Sequence, residues 1–386
     1  MKPSSLFRYL VTTAGAGLLV VACSNKANPT NDGGSGGCSK DLSVGWSAPP
    51  YALCAPGTGG NLGSACPPIT PAATCIDTRP VAACCAWVQD ATVELARATG
   101  LHYFSAPSGQ TTVDLACLDT PGAKPGTPQN VTLTGYVKLF SSGDDSAGVK
   151  VEVYTEGPNA TLGTLIGSYT TVANDTTDPP LMPLPTWSSK CPTQGCSLRS
   201  YSVANVPTET PLIIKTSDAT GSQKWADLYD YNIYFANGTV AQSDAGVSTV
   251  SYDASTVAAT DVNTVASAAG GFTIKPDKGL LAGEVHDCGD VRLANATVNT
   301  DVRPEGDMFY FNSDETNPLP DKTQTDGTSK LGLFGALNYP TGVPIHISAV
   351  GLLNGQRTLI GAYTVQVYPG AVTALSLRGR RPYQQD

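Results

Sequence analysis

The chain has 386 residues, a formal net charge of −9 at pH 7, and only 14% charged residues. Because no basic stripe is available to neutralise phosphates, nucleic acid is excluded as an expected partner. The 40 glycines and 29 prolines favour short strands and many turns over long helices. The composition therefore predicts a mainly β protein, with enough length for two or three domains.

Residues 1–22 are predicted to be a lipoprotein signal peptide. A basic flank, Lys2 and Arg8, precedes an apolar run that is too short to span a membrane and that ends Val-Val-Ala before Cys23. This ending resembles the bacterial lipobox, in which the cysteine is diacylated. The resemblance implies lipid attachment at Cys23, the lipid bilayer as a partner, and a cell-envelope location. Ser24, rather than Asp, favours the outer membrane. The alternative is an ordinary signal peptide with an incidental cysteine.

Residues 23–37 are rich in Gly, Ser and Asn, which predicts a flexible tether. Residues 38–128 form a Cys-rich N-terminal region, in which a short helix over Val81 to Ala98 and a set of strands fit the pattern equally well. An exported chain enters an oxidising compartment, so its cysteines are expected in disulfides. Seven candidates fall in this region: Cys38, Cys54, Cys66, Cys75, Cys84, Cys85 and Cys117.

The number of cysteines also constrains their pairing. If Cys23 carries lipid, ten cysteines remain, which is an even number. Cys191 and Cys196 lie in one Pro/Gly-rich loop and are predicted to pair locally, because a short loop closes at little entropic cost. The seven N-terminal cysteines are an odd number. Cys288 is therefore predicted to pair with one of them, which would staple the N-terminal region to the end of the chain.

From Asn130 onward the hydrophobic pattern alternates with a period of two, as is typical of strands. Residues 129–245 contain six or seven short strands separated by turns, which indicates a β-sandwich. Residues 246–278 lose this alternation and are predicted to be a helical linker. Residues 279–386 alternate again and predict a second sandwich.

Several motifs occur in both halves. Pro207-Thr-x-x-Pro recurs as Pro340-Thr-x-x-Pro, each followed by an aliphatic strand, and Gly135-Tyr-Val recurs as Gly283-Glu-Val. Gly332-Leu-Phe completes the set in the second half. Together these residues resemble the carboxypeptidase regulatory-like, or transthyretin-like, sandwich over about 129–245 and 279–380.

The resemblance implies two tandem transthyretin-like β-sandwiches and says nothing of residues 38–128. Together with the pattern along the chain, the predicted fold is mainly β, with two such sandwiches joined by a short helical linker and preceded by a disulfide-rich N-terminal region. Domains of this kind are generally non-catalytic accessories. The first half departs from the pattern, because Ser200-Tyr-Ser stands in the place of Gly-x-Phe and Glu209 in the place of the second Gly.

Residues suited to catalysis or metal binding are few. The chain has three histidines, His102, His286 and His346. A zinc site needs about four N or S ligands, and no His-x-x-x-His or Cys-x-x-Cys pair stands near His286. His346 is interpreted as a strand side chain. No Gly-x-Ser-x-Gly motif occurs, so no serine triad is predicted. We therefore predict no catalytic residue, no metal and no cofactor.

An aromatic strand from Trp225 to Phe235 supplies the ligand-binding candidates Trp225, Tyr229 and Tyr234. Strict alternation places the odd-numbered residues of this strand on one face. That face forms either the sandwich core or an exposed platform on which a sugar or peptide stacks. In the second case Asp227 and Asp230 would offer polar contacts.

The leading hypothesis is a membrane-anchored, non-catalytic surface lipoprotein. Its sandwiches would serve binding, adhesion or envelope structure, with a glycan or a protein as the ligand. The alternative is an envelope enzyme whose catalytic region is 38–128, which contains His102, with the sandwiches as accessory domains.

Overall fold

The computed structural model describes residues 105, 113–116, 125–140, 145–175, 198–242, 246–271, 273–306, 308–314, 317–325, 327–353 and 356–379. The predicted signal peptide, the tether, most of region 38–128 including His102, and the Cys191–Cys196 pair lie outside these residues. Of the eleven cysteines only Cys288 is described.

The described residues are mainly β, and this prediction is confirmed. The first half contains β1 (Asn130–Phe140), β2 (Val149–Glu156), β3 (Leu162–Thr170), β4 (Ser200–Pro207), β5 (Leu212–Asp218), β6 (Leu228–Ile233), β7 (Ala241–Gln242), β8 (Ser248–Ser251) and β9 (Ala254–Val257). One α-helix follows, α1 (Ala259–Gly270). The second half contains β10 (Lys278–Val285), β11 (Thr297–Thr300), β12 (Phe309–Tyr310), β13 (Leu333–Pro340), β14 (Pro344–Leu353), β15 (Gln356–Gln366) and β16 (Val372–Leu377).

These strands form three sheets. A five-stranded sheet has the order β4-β1-β8-β7, with β9 also paired to β1, and a three-stranded sheet has the order β11-β14-β15. The third sheet has eight strands in the order β12-β13-β10-β16-β6-β5-β2-β3, and it runs through both halves. The strand that joins them is β16, which pairs in parallel with β10 on one side and with β6 on the other. The two halves therefore share one sheet.

The shared sheet contributes to hydrophobic cores on both of its faces. Successive strand residues point to opposite faces, so neighbours on β5 enter different cores. Ile214 packs with Leu133 and Val151 in the core under the five-stranded sheet. Ile213 packs with Tyr231 and residues of the three-stranded sheet on the other face. β6 is buried along its whole length because cores lie on both faces of the sheet, and two of its buried residues, Asp230 and Asn232, are polar.

The repeated Gly-x-Val motif has a steric reason. Gly135 on β1 lies opposite Tyr201, and Gly283 on β10 lies opposite Phe334, in equivalent antiparallel pairs. A Cβ atom on Gly135 would lie 1.8 Å from the carbonyl oxygen of Tyr252, and one on Gly283 would lie 2.3 Å from that of Leu375. In both halves another backbone segment approaches so closely that only glycine fits.

The repeated Pro-Thr-x-x-Pro turn requires a left-handed residue at its centre. Gly342 has φ of +76° there, and Glu209 adopts φ of +54° at the equivalent position. A non-glycine residue is strained in this region. Hydrogen bonds offset the strain, because the Glu209 carboxylate accepts from the backbone N–H groups of Asn237 at 2.6 Å and Gly126 at 3.1 Å. The substitution of Glu for Gly noted in the sequence thus has a structural use.

The segment predicted to be a helical linker is partly sheet. Its helix occurs as α1 and ends at Gly271, which has φ of +75° and donates its N–H to the Ser267 carbonyl, as at many helix C-termini. However, β8 and β9 precede the helix and pair in parallel with β1. These strands satisfy backbone groups along one edge of β1. No helix in the described part of the chain is long and apolar enough to cross a membrane.

Candidate functional site: a cavity beneath helix α1

A cavity of about 420 Å³ lies between the shared sheet, helix α1 and the β1–β9 edge of the five-stranded sheet. Both halves contribute to its walls, which are mostly apolar. The wall side chains include Phe140, Val257, Val262, Val265, Phe309 and Phe311. The Phe140 and Phe311 rings meet edge to face with centroids 6.1 Å apart, so an aromatic contact links the two halves at this wall.

The floor of the cavity is formed by small side chains on adjacent strands. Strand register aligns Gly335, Ala282, Ala374 and Asp230 across β13, β10, β16 and β6. The Phe309 ring lies over Gly335, where a Cβ would be 2.7 Å from it. Ala282 and Ala374 come next in this row. Their side chains are too small to fill the space beneath α1, and the unfilled space is the cavity.

Asp230 is the polar residue of this floor. Only 7% of it is exposed. The Tyr252 hydroxyl donates a hydrogen bond of 2.6 Å to its Oδ2 atom, and within the described part of the chain Oδ1 accepts none. Burial raises the pKa of Asp230 to about 7, with a further increase from the Glu284 carboxylate, against the lowering effect of Tyr252 and Arg378. A buried carboxyl with a half-filled hydrogen-bonding capacity is destabilising unless a ligand uses it.

Tyr252 is held in place by several contacts. Its carbonyl accepts a 2.7 Å hydrogen bond from the Tyr201 hydroxyl. Its ring meets that of Phe235 edge to face, with centroids 6.2 Å apart. The next residue, Asp253, accepts a 2.9 Å hydrogen bond from the backbone N–H of Tyr136. The phenol that faces Asp230 therefore belongs to a fixed part of the first half.

Two ion pairs among the lining residues are partly exposed, so the cavity reaches solvent beside them. Lys138 and Asp253 are 2.7 Å apart, with side chains 36% and 31% exposed. Arg292 and Glu284 are 2.9 Å apart, with side chains 36% and 28% exposed. Since each cation already has a carboxylate partner, the cavity combines an apolar body with a charge-balanced opening.

Glu284 belongs to a wider charged network behind this opening. His286 lies 2.7 Å from the carboxylates of both Glu284 and Asp290, and Asp290 also pairs with Arg378. Burial opposes ionisation of Glu284, but the hydrogen bond from His286 and the charge of Arg292 lower its pKa to about 2. Burial likewise lowers the pKa of His286, but hydrogen bonds to Asp290 and Glu284 outweigh it and raise that pKa.

The aromatic ligand-binding candidates lie elsewhere. Trp225 and Tyr229 are 4% and 8% exposed, and Tyr229 stacks on Tyr368 with ring centroids 3.9 Å apart. Tyr234 donates a hydrogen bond from its hydroxyl to Glu209. Burial of Trp225 and Tyr229 matches the core account of this strand and not the exposed platform.

The expected strict alternation along this strand is wrong. Asn232 adopts φ of +63°, and the pairing of β5 with β6 shifts register at this point. As a result Tyr231 packs in one core, whereas Ile233 and Phe235 pack in the other. A single left-handed residue has changed the face to which the following side chains point.

Cys288 is disulfide-bonded, and its partner is among the cysteines outside the described residues. Its backbone N–H donates to the Asp114 carbonyl at 2.9 Å, and Leu115 packs in the core of the second half. Residues 113–116 thus contact the second half next to Cys288. The identity of the paired cysteine stays a prediction.

His346 lies on β14 as a buried strand side chain, with Nδ1 2.7 Å from the Thr364 hydroxyl. Among the described residues, no three His, Cys, Asp or Glu side chains are grouped so as to hold a metal ion.

Sequence reasoning identified Asp230 as a polar contact but paired it with Asp227, which instead forms an ion pair with Lys215 at 2.9 Å. It did not identify Tyr252, because that residue lies between β8 and β9, two strands within the segment that was predicted to be a helical linker. An acid flanked by two tyrosines, Tyr229 and Tyr231, was the available signal, since burying a carboxylate among aromatic residues is costly unless it has a partner.

No family model matches this chain, and no curated protein matches it. Among solved structures, the shaft pilin SpaA from Lactobacillus rhamnosus GG is 9% identical, with a TM-score of 0.17, over 65% of this chain and 99% of that one. The major pilin from Streptococcus pyogenes is 10% identical, with a TM-score of 0.14, over 64% of this chain and 99% of that one. Similarities at these TM-scores assign neither a fold family nor a function.

Proposed function

We propose that this protein is a lipid-anchored, non-catalytic component of the cell envelope that binds a small apolar ligand in the cavity beneath α1. One observation carries the proposal: a cavity of about 420 Å³ with apolar walls contains a single deeply buried carboxyl, Asp230. Small-molecule sites commonly combine a volume of this size, apolar walls and a few convergent polar groups.

The chemistry of the lining supports binding rather than catalysis. The described residues that line the cavity include no histidine and no cysteine. Its cations, Lys138 and Arg292, are each engaged by a carboxylate. The Tyr252 hydroxyl lies beside a base, Asp230, but burial and the Asp230 carboxylate raise the pKa of Tyr252 well above its ordinary value of 10, which makes this phenol a poor nucleophile.

Anchoring is proposed from the sequence. Cys23 would carry the lipid, residues 23–37 would act as a tether, and the folded part would stand away from the outer membrane. The equivalent Gly135 and Gly283 positions support the proposal that the two halves are sandwiches of the transthyretin-like kind that share a sheet. In this arrangement the shared sheet holds the cavity walls rigidly together.

Two measurements test the proposal. Cys23→Ser in the full chain should move the protein from the membrane fraction to the soluble fraction and abolish lipid labelling, since multiple acyl chains are needed for firm anchoring. If the variant stays lipid-labelled and membrane-bound, the anchoring proposal is wrong.

Cavity binding is tested with a polarity-sensitive dye such as Nile red, titrated against the soluble variant. Ala374→Leu fills the middle of the cavity floor and should abolish saturable binding. Ala204→Leu adds the same side chain at an exposed position on β4 and is the matched control. Equal dye binding by both variants would contradict a site in this cavity.

A further inference from the structure

We infer that the cavity is selective for ligands with an apolar body and a single protonated amino group, which binds the carboxylate of Asp230. This inference rests on the proposed function and adds to it the chemical class of the ligand. The basis is the hydrogen bonding around the cavity: some polar groups already have partners, and one acceptor remains available.

The available group is an acceptor. Asp230 Oδ2 is engaged by the Tyr252 hydroxyl, whereas Oδ1 accepts no hydrogen bond from the described residues. The residue is only 7% exposed and lies on the cavity floor, so its partner must come from within the cavity. An ammonium group supplies N–H donors together with a positive charge, and charge-assisted hydrogen bonds are stronger than neutral ones.

The cations at the opening disfavour an anionic ligand. Lys138 and Arg292 lie 2.7 and 2.9 Å from Asp253 and Glu284, respectively. A carboxylate ligand would have to break one of these pairs, and it would then also face Asp230. Like charges at such distances in a poorly hydrated site repel strongly. A neutral alcohol avoids this repulsion but forms only a neutral or singly charged hydrogen bond.

The arrangement of the floor also determines how the ligand lies. The small side chains of Ala282 and Ala374 lead directly to Asp230 along one row of the sheet. An alkyl or aryl body would lie over these alanines and against Phe309 and Val262, with its amino group at Asp230. The apolar body supplies the burial of hydrophobic surface, and the amino group supplies selectivity.

The test is isothermal titration of the full, soluble Cys23→Ser chain with octylamine, octanol and octanoate at neutral pH. These probes share a chain length and differ in the head group. We expect octylamine to bind at least about tenfold more tightly than octanol, and octanoate to bind more weakly than both. In Asp230→Asn the affinity for octylamine should fall by about tenfold to 100-fold, while that for octanol stays within about threefold.

Asp227→Asn is the matched control, because Asp227 is on the same segment but pairs with Lys215 outside the cavity. Circular dichroism establishes that both variants are folded. Equal affinities for the three probes, tighter binding of octanoate, or an unchanged affinity of Asp230→Asn for octylamine would overturn the inference. If no octyl compound binds but Nile red binds and is lost in Ala374→Leu, the amine selectivity fails while the proposed function stands.

Discussion

Asp230→Asn is predicted to stabilise the protein in a pH-dependent way. The substitution replaces a buried carboxyl by a neutral side chain of the same shape that can still accept the hydrogen bond from Tyr252. In the folded protein burial raises the Asp230 pKa to about 7 from an ordinary value of 3.8. The folded state therefore binds a proton more tightly than the unfolded state between these pH values, and stability is lost as pH rises through that range.

The magnitude follows from the size of the pKa shift. At about 1.4 kcal/mol per pKa unit, ionisation of Asp230 reduces the free energy of unfolding by about 4 kcal/mol at pH 8 and by only about 0.6 kcal/mol at pH 4. The neutral amide of the variant would avoid this loss, so the gain in stability should be large at pH 8 and near zero at pH 4. Urea unfolding of both proteins at the two pH values, with disulfides intact, measures it.

The difference between the two pH values is the decisive quantity. Asp227→Asn serves as a control, because the Asp227 side chain is 44% exposed and its partly exposed ion pair with Lys215 should contribute about 1 kcal/mol. If Asp230→Asn is destabilising at pH 8, or changes stability equally at both values, then Asp230 is not a buried group of raised pKa. Such a result would also weaken the case for ligand binding at Asp230, because a residue kept for binding is expected to cost the protein stability.

Three further predictions test other parts of the structure. Gly283→Ala should lower the free energy of unfolding by about 1–3 kcal/mol or more, because the new Cβ would lie 2.3 Å from the Leu375 carbonyl oxygen. Gly238→Ala, at a position with open space around it, is the control and should have little effect. Chemical unfolding of both variants measures the difference. Trp225→Ala should lower the free energy of unfolding by about 3–5 kcal/mol, measured by thermal or chemical unfolding, because a large buried side chain is removed. Unchanged stability would contradict the burial of Trp225. Against the lowering effect of burial, hydrogen bonds to Asp290 and Glu284 raise the pKa of His286, so this group contributes stability that is complete below pH 6.5 and is lost as pH rises through the folded pKa. His286→Gln should therefore flatten the fall in unfolding free energy as pH rises above 6.5, measured by urea unfolding across a pH series. An unchanged slope would exclude this titration.

The sequence by itself determined the local structure of this protein. Period-two alternation predicted strands in the segments that became β1, β2, β5 and β14, because a half-buried strand places alternate residues on one face. Gly270-Gly271 predicted the end of α1 through the left-handed conformation that glycine permits. The Pro-Thr-x-x-Pro turn and the Gly-x-Val motif marked equivalent positions in the two halves. The turn depends on backbone geometry within a few residues, whereas the glycine is required by a distant backbone segment, at Tyr252 or Leu375, that only the tertiary structure places beside it.

Only the tertiary structure decided how these elements assemble. The parallel pairing of β16 with β6 joins residues as distant as Leu375 and Tyr231, and no local pattern specifies a partner so far along the chain. The bulge at Asn232 changed the face of the following aromatic residues, which alternation alone could not predict. The cavity arises because Ala282, Ala374 and Asp230 are brought into one row by that long-range pairing. A binding site formed by register between distant strands becomes visible only when the strands are paired, because each residue alone is an ordinary strand side chain.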